Sequence, residues 1–169
     1  MNAITNVKEL YIEFIRDIYN AEILLLPELQ RFHQKTNTPS LKKALKEHLN
    51  HTRSHITLLE DLQENIHANM FNTHCRTMKY MILESRDLVD RCRTDELAER
   101  AIAASLFRIT HCMITVYQML ISLSAELEFS KHTEMLGRNL EEEINFEQQI
   151  NANGLYSLFG EFNINKRLL

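Results

Sequence analysis

Residues that interrupt helices are scarce in this chain of 169 residues, which contains only 3 Gly and 2 Pro. Long segments with periodic hydrophobic positions lie between the polar breaks. This low content of turn-forming residues favours an all-α fold. A chain of this length can bury one well-formed core, so we expect a single domain over residues 1–169.

The cysteines form no recognisable motif, and positive charge does not predominate. The three cysteines are odd in number and lack CxxC spacing, so we expect no disulfide framework and a reducing, cytoplasmic compartment. We find no signal-peptide pattern and no run of about 18 apolar residues, and we therefore expect no membrane partner. The net charge of -4 and the absence of a basic stripe argue against nucleic acid as a partner.

The hydrophobic periodicity predicts five helices, four of them long. Thr38 and Pro39 have N-cap and first-turn chemistry, and Thr94 is a candidate cap for the longest helix. The predicted helices cover about residues 6–34, 39–66, 74–92, 95–127 and 130–154. Because the short third helix can serve as a crossover, we predict a ferritin-like antiparallel four-helix bundle.

Three histidines share the core face of the second predicted helix. His48, His51 and His55 follow one another at spacings of three and four residues, in phase with apolar neighbours on both sides. Such a row is either a set of buried hydrogen-bonding groups or part of a metal site, since imidazole serves in both roles. The spacing alone leaves both interpretations open.

Carboxylates occupy core positions on two other helices. Glu22 lies in the apolar stripe of the first helix, and Glu143 and Glu147 lie one turn apart in the stripe of the fifth. An unpaired buried carboxylate is costly, so each needs a cation, a metal ion, a proton or a hydrogen-bonding partner. The adjacent Glu141 is expected to face solvent.

Seven short sequences, in order and spacing, resemble the bacterial ferritin-like stress-protein family of the YciE and YciF type. They are DIYNAE at 17–22, HLNHTRSH at 48–55, CRTM at 75–78, YMILE at 80–84, RITH at 108–111, LEEEINFE at 140–147 and IN at 164–165. The resemblance covers nearly the whole chain. It implies the ferritin-like fold, in which carboxylates and histidines on facing helices hold two iron or manganese ions.

The chain departs from that family pattern at positions where the pattern has carboxylates. These positions are His51, Thr110 and Met113. Carboxylates are kept at Glu22, Glu142 and Glu143, and Glu147 replaces an aspartate. Because a metal pair needs several anionic and bridging ligands, the loss argues against two ions.

The remaining donors form our predicted metal-ligand set: Glu22, His51, His55, Glu143 and Glu147. This set could hold one divalent ion, either iron, manganese or zinc, or no ion at all if buried Glu and protonated His neutralise each other. We therefore favour a non-enzymatic structural or interaction role for a stress-associated bundle with a degenerate site. The alternative is a protein that binds iron or manganese and handles metal or oxidant stress.

The fourth helix has an apolar surface wider than one neighbouring helix covers. One row contains Ile102, Leu106 and Ile109, and a second row, displaced around the helix, contains Phe107 and Ile114. So wide a face predicts burial against more than one neighbour. We expect a homodimer that uses the faces of long helices.

Overall fold

The computed structural model describes residues 3–66 and 75–151, and it confirms the predicted all-α, ferritin-like fold. Within these residues the chain forms α1 (Val7–Lys35), α2 (Pro39–Ile66), α3 (Arg76–Asp90), α4 (Asp95–Glu126) and α5 (Ser130–Ile150). The predicted start of the third helix at His74 and end of the fifth at Gly154 lie outside the described residues.

The four long helices form a ring in which adjacent helices run antiparallel, and the starts of α2 and α4, which lie on opposite corners, are at the same end of the bundle. Helix α1 packs against α2 and α4, and α5 packs against α2 and α4, so that α1 and α5 lie on opposite corners of the bundle. Tyr19 in α1 donates a hydrogen bond to Glu60 late in α2, which reflects the antiparallel α1–α2 hairpin. Helix α3 returns along the outside of α1 and α4 as the crossover.

Side-chain caps mark the beginnings of α1, α3 and α4. Asn6 accepts a hydrogen bond from the backbone of Glu9 at the start of α1, and Thr94 accepts one from Leu97 at the start of α4. Helix α2 begins at Pro39 as predicted, with the Thr38 carbonyl accepting from the backbone of Lys42, but the Thr38 hydroxyl does not cap the helix. The hydroxyl and the backbone N–H of Thr38 both donate to Glu99 of α4. The corner between α1 and α2 is therefore anchored to a neighbouring helix.

Helix α4 is the most enclosed element of the bundle. It packs against α1, α3 and α5, and these neighbours bury Ile102, Leu106, Ile109 and Ile114 and partly bury Phe107 within one chain. The wide face from which we predicted a homodimer is thus accounted for without a second copy, and the homodimer stays a prediction. Helix α4 is also long and apolar enough to cross a membrane, with a mean hydropathy of 1.3. The apolar core helices of soluble proteins meet the same criterion.

A buried carboxylate attaches the crossover helix to α1. Glu28 is fully buried, and it accepts hydrogen bonds from Arg31 at 3.0 Å and from Arg86 of α3 at 2.5 Å. Asp90, at the end of α3, binds Arg31 and Lys35 of α1. These pairs fix the position of α3 along the bundle.

We expect Glu28→Gln to lower the free energy of unfolding by about 1–3 kcal/mol, because two arginines lose their buried counter-charge. Chemical denaturation monitored by circular dichroism measures this change. The matched control is Glu84→Gln, which breaks the exposed pair between α3 and Arg108 of α4. Its effect should stay within about 0.5 kcal/mol. Equal losses in the two variants would contradict the anchoring role of Glu28.

Candidate metal centre

Three buried side chains from three helices converge in the middle of the bundle. Glu22 of α1, His55 of α2 and Glu143 of α5 have no solvent exposure. Each offers one ligand atom, and these atoms all lie within 4.8 Å of one another. Each residue occupies the core stripe of its helix, so the helical phase that predicted burial also aims the three side chains at one another.

His55 lies between carboxylates on both edges of its ring. Its Nδ1 is 2.9 Å from Glu22 Oε1 and 3.6 Å from Glu143 Oε1. Its Nε2, on the opposite edge, is 2.9 Å from Oε2 of Glu142. A carboxylate on the outer nitrogen orients the ring and is the arrangement commonly found behind a metal-binding histidine. Nδ1 is therefore the nitrogen that faces the cluster.

A tyrosine from α4 completes the surroundings of Glu22. The Tyr117 hydroxyl donates to Glu22 Oε1 at 2.6 Å, and it accepts a hydrogen bond from Asn139 of α5 at 3.3 Å. Oε1 of Glu22 thus has both Tyr117 and His55 as partners. This chain of contacts connects α1, α2, α4 and α5 through polar groups that are all buried or partly buried.

Several buried polar atoms beside these bonds lack a hydrogen-bond partner among the described residues. They are Glu22 Oε2, both carboxylate oxygens of Glu143, and both ring nitrogens of His48. A buried carboxylate oxygen without a donor is costly, and groups of such atoms point to an ion or water that satisfies them. Oxygen and imidazole donors in this combination suit iron, manganese or zinc. The donor set therefore fits one divalent ion.

The electrostatics of the cluster follow from burial and mutual proximity. Burial alone lowers the pKa of His55, but the charge of Glu22 and the hydrogen bonds with Glu142 and Glu22 outweigh it and raise the pKa to about 10. Burial and the charge of Glu22 raise the pKa of Glu143 well above its ordinary value. Without metal, these shifts favour the imidazolium form of His55 and disfavour the charged form of Glu143.

His48 extends the histidine row toward the end of the bundle at which α2 begins. Its ring stacks on Phe146 with centroids 3.7 Å apart, and its Nε2 lies 3.8 Å from Glu143 Oε1. Burial lowers the pKa of His48 well below its ordinary value, and the neighbouring histidines act in the same direction. His48 is therefore a neutral imidazole beside the cluster.

The structure places two of the predicted ligands outside the cluster. His51 is 40% exposed and lies 3.9 Å from Glu142, because its position on α2 is rotated about 40–60° from those of His48 and His55 toward solvent. Glu147 is turned toward α4, where it binds the exposed His111 at 3.0 Å. Of the five predicted ligands, the structure brings together Glu22, His55 and Glu143.

Glu142 is the residue at this site that our predicted ligand set omitted. It is 38% exposed and approaches His55 from the surface side of α5. Its hydrogen bond with His55 lowers its pKa despite partial burial. The sequence does contain a signal for Glu142, because it matches a carboxylate of the family pattern next to Glu143. Helical phase alone, however, assigns Glu142 to the rim of the site rather than to the core.

The fold and this cluster define a ferritin-like helical bundle with a buried carboxylate–histidine centre. The chain belongs to the family described as "Domain of unknown function (DUF892)", which matches residues 6–155. This confirms the family indicated by the sequence resemblance.

Relatives of known structure support the same assignment. Protein YciF of Escherichia coli (strain K12) is 25% identical over 138 residues, which are 81% of this chain and 83% of that protein. The crystal structure of the E. coli stress protein YciF aligns with a TM-score of 0.85 at 22% identity, over 97% of this chain and 100% of that one. YcfI from Rhodopseudomonas palustris aligns with a TM-score of 0.86 at 23% identity, over 91% and 98% of the two chains.

The raised pKa of His55 gives the metal-free protein a defined pH dependence. The imidazolium is favoured in the folded state, so its stabilisation is complete below the ordinary pKa of 6.5 and is lost as the pH rises through about 10. We expect the stability difference between the parent and His55→Gln to shrink over this window, by at most about 1.4 kcal/mol per pH unit.

Urea denaturation in the presence of a chelator, repeated at several pH values, measures this difference. Groups far from the cluster titrate equally in the parent and the variant, so they cancel in the comparison, whereas Glu142 and Glu143 lose the positive charge of His55 and contribute to the difference. A difference that is constant between pH 6.5 and 10 would contradict a protonated His55.

Proposed function

We propose that this protein is a stress-associated bundle that binds a single divalent metal ion through Glu22, His55 and Glu143. The observation that carries the proposal is the group of three buried carboxylate oxygens, on Glu22 and Glu143, that have no donor among the described residues and lie next to an imidazole nitrogen. The association with stress rests on the similarity to YciF, which is described as a stress protein.

The ligands present support one ion rather than two. Helix α4 contributes Thr110 and Met113 to the core where the family pattern has carboxylates, and its polar contact with the cluster is Tyr117. Glu147 is occupied by His111, and Glu142 lies on the far edge of the His55 ring. A second ion would lack the bridging anionic ligands that hold a metal pair together.

In this proposal each residue around the ion has a separate role. Glu22 and Glu143 supply the negative charge, and His55 supplies a neutral nitrogen once its proton has left. Tyr117 fixes the rotamer of Glu22, and Glu142 fixes the His55 ring. A bound divalent ion supplies the positive charge that offsets the two core carboxylates. We infer a structural, non-enzymatic role for it.

A metal-free structural bundle is the second candidate. It is favoured by His55, whose two nitrogens already lie 2.9 Å from Glu22 and Glu142, so that one imidazolium is paired with two carboxylates. Protonation of Glu143 removes the remaining core charge. In this case the cluster serves to fix the register of the helices rather than to bind a ligand.

We also propose the cellular setting on the grounds given by the sequence. The three free cysteines fit a reducing, cytoplasmic compartment. The negative net charge fits a protein that binds neither nucleic acid nor anionic membrane surfaces. A homodimer remains our proposed assembly.

Metal titration of the purified, untagged protein tests the proposed site. We expect about one Mn²⁺, Fe²⁺ or Zn²⁺ per chain and a melting temperature that rises with metal concentration, because binding to the native state alone stabilises it. Glu143→Gln should weaken binding about 100-fold or more, since even the outer partners of metal ligands are worth about 10–100-fold.

The amide in Glu143→Gln resembles the protonated carboxyl in size and charge, so the metal-free variant should fold as the parent does. Glu141→Gln, on the exposed face of α5, is the matched control and should bind metal normally. Absence of stoichiometric binding in the parent would favour the metal-free candidate. Two ions per chain would contradict the single site.

A further inference from the structure

The three ligands of the proposed ion are closed off from solvent. Glu22, His55 and Glu143 have no exposed surface, so a divalent ion reaches them only by passing between side chains of the bundle. A cation that leaves water for a core of low dielectric constant needs a polar donor at each step of this passage. Residues that supply such donors lie between α2 and α5.

A small depression opens in the surface between α2 and α5, beside the cluster. Its volume is about 10 Å³, which is room for roughly one water molecule or ion. Glu47 and His51 of α2 and Glu142 of α5 line its exposed or partly exposed rim. Nδ1 of His51 is 3.9 Å from Oε2 of Glu142. Two donors at this separation can bind one ion between them, since each donor atom lies about 2.0–2.2 Å from a bound zinc ion.

His48 connects this depression to the cluster. It is buried, it lines the depression, and its ring stacks on Phe146. Its Nε2 lies 3.8 Å from Oε1 of Glu143. Both ring nitrogens of His48 and both carboxylate oxygens of Glu143 lack a hydrogen-bond partner among the described residues. Buried polar groups are ordinarily satisfied, so this ring is a donor that nothing in the described fold uses.

We propose that a divalent cation enters the buried centre through this depression and is handed on to Glu143 by His48. The ion is first held between His51 and Glu142 at the rim. This inference rests on the proposed function, because it gives the same inner site a route of access. Each step exchanges one ligand of the ion for another, and no covalent bond of the protein forms or breaks.

The outer position holds the ion only in passage. Its donors are exposed to water, and Glu47 at the rim already lies 3.8 Å from Lys43, in a surface pair that is screened by solvent. The inner ligands are buried and lie in a medium where a cation is attracted more strongly. The loaded protein therefore keeps one ion per chain.

The rates of metal exchange test the role of His48. His48→Phe keeps an aromatic ring against Phe146 and removes both nitrogens. With Zn²⁺ as the probe, stopped-flow mixing with a Zn²⁺-responsive dye should show association and release both slowed about tenfold or more, because a group on the route changes the barrier height. The dissociation constant should stay within about threefold of the parent value, because the free energies of the bound and free states are unchanged.

The matched control is His132→Phe. It makes the same change at a buried histidine that contacts Tyr11, away from the depression. Both exchange rates should remain those of the parent. Circular dichroism checks that each variant is folded.

The outer position can be tested with the inner site disabled. In Glu143→Gln, a small fraction of an equivalent of Mn²⁺ should broaden the imidazole resonances of His51 more strongly than those of His111. His111 is the matched reference, because it is also exposed and pairs with a glutamate, Glu147, at 3.0 Å, but it does not line the depression. Equal broadening of the two histidines would contradict the outer position.

Failure of the route and failure of the inner site give different results. A parent that binds one ion, with exchange rates unchanged by His48→Phe, would overturn the route alone. Faster release with a weakened dissociation constant in His48→Phe would make His48 a ligand of the inner ion, and this too would overturn the route. A parent that binds no ion would overturn the proposed function and the route together.

Discussion

The placement of His55 between carboxylates of two other helices constrains the whole bundle. A buried imidazolium is stable only while Glu22 of α1 and Glu142 of α5 stay within hydrogen-bond distance of its two nitrogens. A shift of any of these helices along its axis would separate the charges in a medium of low dielectric constant. The ring therefore fixes the register of α1, α2 and α5 relative to one another.

In the function proposed above, metal binding and a metal-free fold would compete at this same cluster. Protons on His55 and Glu143 would balance the buried charge when no ion is bound, and one divalent ion would balance it equally well. What distinguishes the two states is hydrogen bonding. The oxygens of Glu143 have no donor among the described residues, and this favours the ion.

The crossover helix is held by a second buried carboxylate. Glu28 binds Arg31 and Arg86, and it is this attachment that holds α3 against α1. Once the inner face of α3 is fixed in this way, the opposite face, on which Tyr80 and Leu83 are exposed, is fixed too.

Much of the fold and part of the site could be predicted from the sequence. Scarce Gly and Pro, helix caps and three-four periodicity specify the five helices, and phase alone identifies Glu22, His55 and Glu143 as core residues. Helical phase does not decide whether a residue at the border of a core stripe points into the core or to solvent, because a step of three or four residues displaces a side chain around the helix by about 40–60°. Glu147 and His51 were placed at the centre on that basis, and Glu142 was not.

The tertiary structure alone decided which of these border groups meet. The position of α5 brings Glu142 to the outer nitrogen of His55 and turns Glu147 toward His111. The packing also covers the wide face of α4 with three neighbours and leaves Tyr80 of α3 exposed. Local sequence determines how a helix is patterned. Which neighbouring helix covers each face depends on how the helices pack. Packing depends on residues far apart in the sequence, and the periodicity of a single helix does not specify it.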